Sequence, residues 1–224
     1  MHRVMPACFL ATAYLCCAYL PVAQAGSDAV NSGWEQIDDS GGIIVYEKDP
    51  SDVPTVSLKG EADIAWPLPD ILAVMKDNRI ANEWMPMVVE KHDIAPISTN
   101  ERLEYMHIGM PWPLTDRYFI NRAKAEYLPD GVVRLSVQSI PHPDPRYLES
   151  DKVLGTLNLS VLYLVPTSAG HTHVSIEVNT DPKGLIPKWI ANMVQRQWPR
   201  QFFEGLRRQL AKTARLSTEA PLAH

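Results

Sequence analysis

Cysteine is confined to the first 17 residues, where Cys8, Cys16 and Cys17 are the only three in a chain of 224. Past Cys17 there is no thiol to form a disulfide, hold a soft metal or act as a nucleophile. Surplus positive charge is absent as well. Twenty-one basic residues face 26 acidic ones, a net charge of −5, which argues against bulk nucleic-acid binding, since that needs dense positive charge. There is no Gly-x-Ser-x-Gly elbow, so a serine hydrolase has no support. No glycine loop is suited to cradle phosphate. No internal repeat, low-complexity tract or linker divides the chain. His171 and His173 share one face of an alternating run, but no third ligand is spaced near them. Their neighbours Thr172, Val174, Ile176 and Val178 claim the core, so the histidines are expected to face water and no metal site is expected. His142-Pro143-Asp144 has no nucleophile nearby and reads as turn chemistry. No cofactor is implied.

The N-terminus carries one charged residue, Arg3, and then an apolar stretch of 14 residues from Ala7 to Leu20. About 20 are needed to span a bilayer as a helix. Pro21 ends the stretch, and Ala23-Gln24-Ala25 has the small residues that a signal peptidase reads. Residues 1–25 are therefore expected to be a cleavable signal peptide, with an uncleaved anchor as the other reading. Removal after Ala25 leaves 199 of the 224 residues, with 20 basic against 26 acidic, a net −6. That length suits one domain with a real core. An exported domain without cysteine must rely on its core alone, which fits the periplasm. The domain is placed at 26–216, with a flexible tail at 217–224.

Along that domain, Gly41-Gly42 opens a short apolar run from Ile43 to Tyr46, and Val56, Leu58, Gly60, Ala62 and Ile64 alternate as in a half-buried strand. A short helix is expected over Pro67–Asp77 and a second over Arg79–Trp84, ended by Pro86. Further strands are expected at about Val88–Ile94, Glu101–Met110, Thr115–Tyr127, Val132–Ile140, Val153–Val165 and His171–Asn179. Asp130-Gly131 and Ala169-Gly170 read as hairpin turns. After Asp181-Pro182-Lys183-Gly184 comes a long amphipathic helix with Pro187 in its first turn, where a missing N–H costs nothing. Its apolar arc runs through Ile186, Trp189, Ile190, Met193, Val194 and Gln197. Pro199 then interrupts, and Phe202, Phe203, Leu206 and Leu210 set a shifted arc. The order predicts an α+β fold, a curved antiparallel sheet gripping one long C-terminal helix around an interior apolar cavity. Eight basic residues and one acid, Glu204, lie between Lys183 and Arg215. They read as a solvated helix face or as a docking face for anionic lipid headgroups.

Aromatic and sulfur side chains gather at element ends: Trp84, Trp112, Trp189 and Trp198 stand near Met85, Met87, Met106, Met110 and Met193. Each alone reads as ordinary core, but as a set they suit a deformable apolar pocket. Arg102, Glu104, Met106 and Ile108 share one strand face, and Arg117, Phe119, Asn121, Ala123 and Ala125 share a face of the next. Polar groups on such faces must pair with one another or with part of a ligand.

Three segments resemble the START lipid-transfer domains: Glu83-Trp84-Met85-Pro86-Met87-Val88-Val89-Glu90; Met110-Pro111-Trp112-Pro113-Leu114-Thr115-Asp116-Arg117-Tyr118-Phe119; and Asp181 through Asn192. The resemblance covers about Trp34 to Leu210. It implies a helix-grip fold with a tunnel for one lipid, closed by the C-terminal helix. The family usually has Arg-Asp-Phe where this chain has Arg117-Tyr118-Phe119. In sterol-carrying members a buried acid pairs with an arginine on the neighbouring strand. Here Glu104 takes the acid's place, the arginine's place falls at Ala123, and Arg122 lies on the opposite face, so sterol specificity does not follow. The expected function is non-enzymatic: a periplasmic monomer binds one lipid (phospholipid, sterol or hopanoid) and transfers it between membranes through transient surface contact. A helix-grip enzyme of cyclase or hydrolase type and a lipid-sensing envelope protein are the alternatives. The expected ligand-binding residues are Trp84, Glu104, Met106, Trp112, Phe119, Asn121, Trp189 and Met193. On that placement, Met193→Arg would abolish lipid retention without unfolding the domain.

Overall fold

The computed structural model describes residues 33–49, 55–141, 143–168 and 170–219. The expected signal peptide, His142 and Ala169 lie outside them. Ten strands form one sheet: β1 (Glu35–Ser40), β2 (Ile43–Lys48), β3 (Ser57–Ile64), β4 (Val88–Ser98), β5 (Glu101–Ile108), β6 (Arg117–Tyr127), β7 (Val133–Ser139), β8 (Val153–Leu154), β9 (Thr156–Ser168) and β10 (His171–Asp181). Their order is β1-β2-β3-β10-β9-β7-β6-β5-β4, all antiparallel, while β8 adds a short parallel pairing to β6. Helices α1 (Leu68–Lys76) and α2 (Ala81–Trp84) fall between β3 and β4, and α3 (Lys188–Arg196) and α4 (Trp198–Glu219) close the chain. This is the expected curved antiparallel sheet with a long C-terminal helix.

The pleat explains which residues face inward. Along β10, Thr172, Val174 and Ile176 are buried, while His171 is exposed and His173 half-buried on the other face. Successive side chains on a strand point to opposite faces, so the alternation in sequence fixes this division. His173 Nδ1 meets Asp63 Oδ1 at 2.8 Å near the surface. Among the described residues no group of three His, Cys, Asp or Glu side chains is placed to hold a metal ion. Thr172, the one polar member of the buried set, donates its hydroxyl to the Trp66 carbonyl at 2.9 Å. Strand β1 has no counterpart in the sequence expectations, because its residues are almost all exposed and show no alternation to read.

The main core lies where α4 meets the sheet. Phe202, Phe203, Leu206 and Leu210 are all buried, together with Ile43, Val45, Ala62, Ile64, Val174 and Ile176 from the strands and Ile71 and Val74 from α1. The C-terminal helix is broken at Gln197, and Pro199 sits in the first turn of α4, where proline is tolerated. The shifted apolar arc thus belongs to a second helix and not to a bend within one. Close approach of α2 and α4 requires Gly205. A Cβ there would stand 2.0 Å from the Trp84 carbonyl oxygen.

Four of the eight basic residues between Lys183 and Arg215 grip the fold. The Arg196 guanidinium holds Glu47 of β2, with Nη2 2.7 Å from Oε1. Arg200 pairs with Asp38 of β1. Arg207 donates to the carbonyls of Gly41, Gly42 and Asp63. Lys212 Nζ lies 2.5 Å from Glu83 of α2. These contacts tie α3 and α4 to the β1–β2 hairpin, to β3 and to α2, so half of the basic run is a structural clamp and not a free face.

Candidate functional site

Beneath α3 the sheet does not close on itself. A cavity of about 560 Å³ runs from the hairpin between β4 and β5 to the segment preceding α3, within the roughly 300–1,000 Å³ usual for small-molecule sites. The strands supply Leu58, Met106, Phe119, Val137, Leu162 and Ile176, α1 and α2 supply Met75 and Trp84, and α3 supplies Ile190, Ala191 and Val194. Trp198 and Phe202 reach it from the start of α4, stacked on each other with ring centroids 5.2 Å apart. Gln195 of α3 is fixed by donating to the Thr180 carbonyl of β10 at 2.9 Å.

Partway along this apolar lining sits one charged cluster. Glu104 is 1 % exposed, and Lys91 Nζ of β4 lies 3.2 Å from its Oε1. Arg102, two residues away on the same strand, places Nε 3.4 Å from Glu104 Oε2 and 2.9 Å from Asp93 Oδ1. Two cations and two carboxylates leave the cluster without net charge, as a nonpolar setting demands. Lys91 Nζ is close to Oε1 but off the hydrogen-bonding direction, and Oε1 has no hydrogen-bond donor within the protein. Arg122 takes no part. It extends on the outer face and pairs with Glu101, so the cations beside Glu104 are Lys91 and Arg102.

At the end near α3, Arg117 begins β6 and is 3 % exposed. It lines the cavity and donates Nε to the Pro182 carbonyl at 3.2 Å, Nη2 to the Lys183 carbonyl at 3.3 Å, and Nη1 to the Thr115 carbonyl. Burial pulls its pKa below the ordinary guanidinium value, with Asp116 opposing. Those bonds join the loop between β5 and β6 to the chain entering α3. The loop itself contains a cis Trp112–Pro113 bond and is pinned by Asp116, which accepts from the Met110 N–H and meets His107 Nε2, each at 2.8 Å. The Met110 N–H first, and then His107, hold the Asp116 carboxyl below its usual pKa.

The structure distributes the eight expected residues unevenly. Trp84, Glu104, Met106 and Phe119 line the cavity. Asn121 is fully buried directly opposite Glu104 in the β5–β6 register, but is not among the lining residues; its Oδ1 accepts from Ser139 at 2.9 Å. Trp112 is 93 % exposed at the loop, and Trp189 and Met193 are exposed on α3. The helix turns Ile190, Ala191 and Val194 to the cavity. Residues 189 and 193 flank that stripe, one position early in a helix of 3.6 residues per turn. Ala191 gave no signal in the sequence, because alanine carries little apolar weight. Lys91 and Asp93 also went unread; their strand faces solvent on its other side and breaks its alternation at bulges.

Comparison with known proteins agrees with this architecture. A family model for the START domain matches residues 13–215. An uncharacterised protein of Pseudomonas aeruginosa is 27% identical over 184 residues, covering 80% of this chain and 88% of that one. A crystal structure of a STAR-related lipid transfer protein fragment from Xanthomonas axonopodis aligns at 26% identity and a TM-score of 0.71, over 80% of this chain and 99% of that one. Human STARD10 shares the fold, with a TM-score of 0.75 at 19% identity over 84% of this chain and 77% of that one. Sheet order, closing helix and matched segment thus agree, and the chain belongs to the START domain family.

Proposed function

We propose that this protein binds a single lipid in the cavity beneath α3 and carries it between membranes in the periplasm, without catalysing a reaction. The observation that carries this reading is the cavity itself: about 560 Å³, with a lining in which Leu, Ile, Val, Met and aromatic side chains outnumber the polar and charged ones. Burial of an acyl chain contributes roughly 0.8 kcal/mol per CH₂, enough to hold a lipid firmly in a dry site. The family membership and the lipid-transfer protein of Xanthomonas axonopodis support the same ligand class. An enzyme would need a free acid or base, whereas Glu104 is committed to Lys91 and Arg102. The first test is to purify the protein from its native envelope, extract it with organic solvent and identify the extract by mass spectrometry. One dominant lipid near one per chain is the expected result, and an empty protein would sink the reading.

Transfer requires contact with a membrane, and the apolar residues outside the cavity supply a surface for it. Trp112 and Leu185 are almost fully exposed, and Trp189 and Met193 follow on the outer side of α3. Arg117 bonds Thr115 of the first segment and Pro182 and Lys183 of the second, so both border one end of the cavity. Tryptophan favours the interface between water and acyl chains. Trp112→Ala should slow vesicle-to-vesicle lipid transfer on the order of tenfold, since its indole is the more exposed of the two tryptophans at that end. Bound lipid should stay unchanged, because the side chain does not line the cavity. An unaltered transfer rate would remove Trp112 from the contact.

A further inference from the structure

Every cavity-lining cation but two has a carboxylate partner among the described residues. Lys91 and Arg102 share Glu104 and Asp93, and Lys124 holds Glu126. Lys76 lies at the surface and donates to the Tyr127 hydroxyl. Arg117 is different, because it is buried. Asp116 is next in the chain but is turned to His107 and the Met110 N–H. Arg117's partners are three backbone carbonyls, those of Thr115, Pro182 and Lys183.

A guanidinium has five N–H donors in a planar fork. Three are engaged, which leaves one on each terminal nitrogen, in a side chain that lines the cavity. Carbonyl dipoles satisfy donors but do not cancel the charge, and a buried cation without a counter-ion is costly. Two free N–H groups on one fork match two oxygens of a carboxylate or phosphate. The chain entering α3 comes this close to the fork only because residue 184 is glycine: its φ is +72°, and a Cβ there would stand 3.2 Å from Nη2, tighter than an ordinary contact.

We propose that Arg117 binds the anionic oxygens of the lipid's polar end, so that the cargo is an anionic lipid whose charged group lies beside the segment entering α3 and whose chain runs along the apolar cavity. This rests on the lipid-binding reading above. The neutral Glu104 cluster gives no net attraction to such a group, whereas Arg117 is a buried charge in no ion pair among the described residues, offset only in part by the neighbouring Asp116. The same guanidinium bonds Pro182 and Lys183, so an anion drawn to it acts where the chain turns into α3.

The test uses delipidated protein at pH 8 and three probes of one chain length: hexadecanoate, hexadecyl phosphate and hexadecanol, each competing with an apolar fluorescent dye. At least one anion should bind on the order of tenfold or more tighter than the alcohol, the scale expected of a charge-assisted bond. Arg117→Gln should bring that ratio to about one while hexadecanol affinity holds, and Arg117→Lys should keep part of it. A merely structural arginine would weaken all three probes alike. Should Arg117→Gln fail to fold, the wild-type ratio still decides: equal binding of alcohol and both anions overturns the proposal and leaves the lipid reading intact. If none of the three displaces the dye, the lipid reading itself falls.

Discussion

Ala191→Trp is expected to empty the protein of lipid while leaving it folded, and Met193→Arg is expected to leave the lipid in place. The two positions are neighbours on α3, but only Ala191 lines the cavity, whereas Met193 is 51 % exposed. A tryptophan at 191 enters space that the lipid would occupy. In a packed core such an insertion costs roughly 1–3 kcal/mol. Here the new ring fills a cavity, so little destabilisation of the lipid-free protein is expected. The lipid loses both room and apolar contact, and retention should fall from near one per chain to a few per cent. Solvent extraction with mass spectrometry measures the lipid, and circular dichroism during heating checks the fold. The pair also tests the orientation of α3. If Met193→Arg emptied the protein and Ala191→Trp did not, the helix would be turned as the arc through Trp189 and Met193 in the sequence implied.

That arc shows where sequence reading succeeds and where it stops. Strands β3 and β10 were legible, because a strand with one buried face writes a period of two into its residues. The core stripe of α4 was legible for the same kind of reason: Phe202, Phe203, Leu206 and Leu210 are apolar at helical spacing, and all are buried. Helix α3 defeats the rule, because apolar residues lie on both sides of it. Ile190 and Val194 face the cavity, while Trp189 and Met193 face out, and hydrophobicity alone centres the stripe between them. Trp112 misleads similarly, since a large aromatic residue usually signals burial. The basic run after Lys183 illustrates a different limit. Its charge is plain in the sequence, but its partners Asp38, Glu47 and Glu83 lie more than 100 positions away. Lys91 beside Glu104 is hidden likewise, because the ion pair depends on strand order and register. Arg117 fared better: Arg117, Phe119, Ala123 and Ala125 share one face by alternation, and all four line the cavity.

Gly205→Ala should lower stability by about 2–3 kcal/mol, the cost typical of overpacking, although the same change at an open helix position would raise it by about 1 kcal/mol. The sign reverses because of one contact. An added Cβ would stand 2.0 Å from the Trp84 carbonyl oxygen and 3.0 Å from its carbon, and both are backbone atoms that no rotamer change can remove. Either α2 or α4 must shift, and neither is free to do so. Trp84 packs its ring on Phe202 at 5.4 Å between centroids, and Lys212 pairs with Glu83 across the same junction. A shift there also moves the cavity wall, since Trp84 and Phe202 both line it. Thermal unfolding should therefore begin roughly 5–10 °C lower, given about 2–4 °C per kcal/mol for a domain of this size, and lipid retention should fall with it. Gly205→Ser meets the same obstacle and should behave alike. Glu204→Ala, one residue away and exposed, is the control and should stay within about 0.5 kcal/mol of the parent. A Gly205→Ala protein as stable as the parent would mean that α2 and α4 pack less closely than the structure shows, and the clamp on Trp84 would no longer account for how the cavity wall is held.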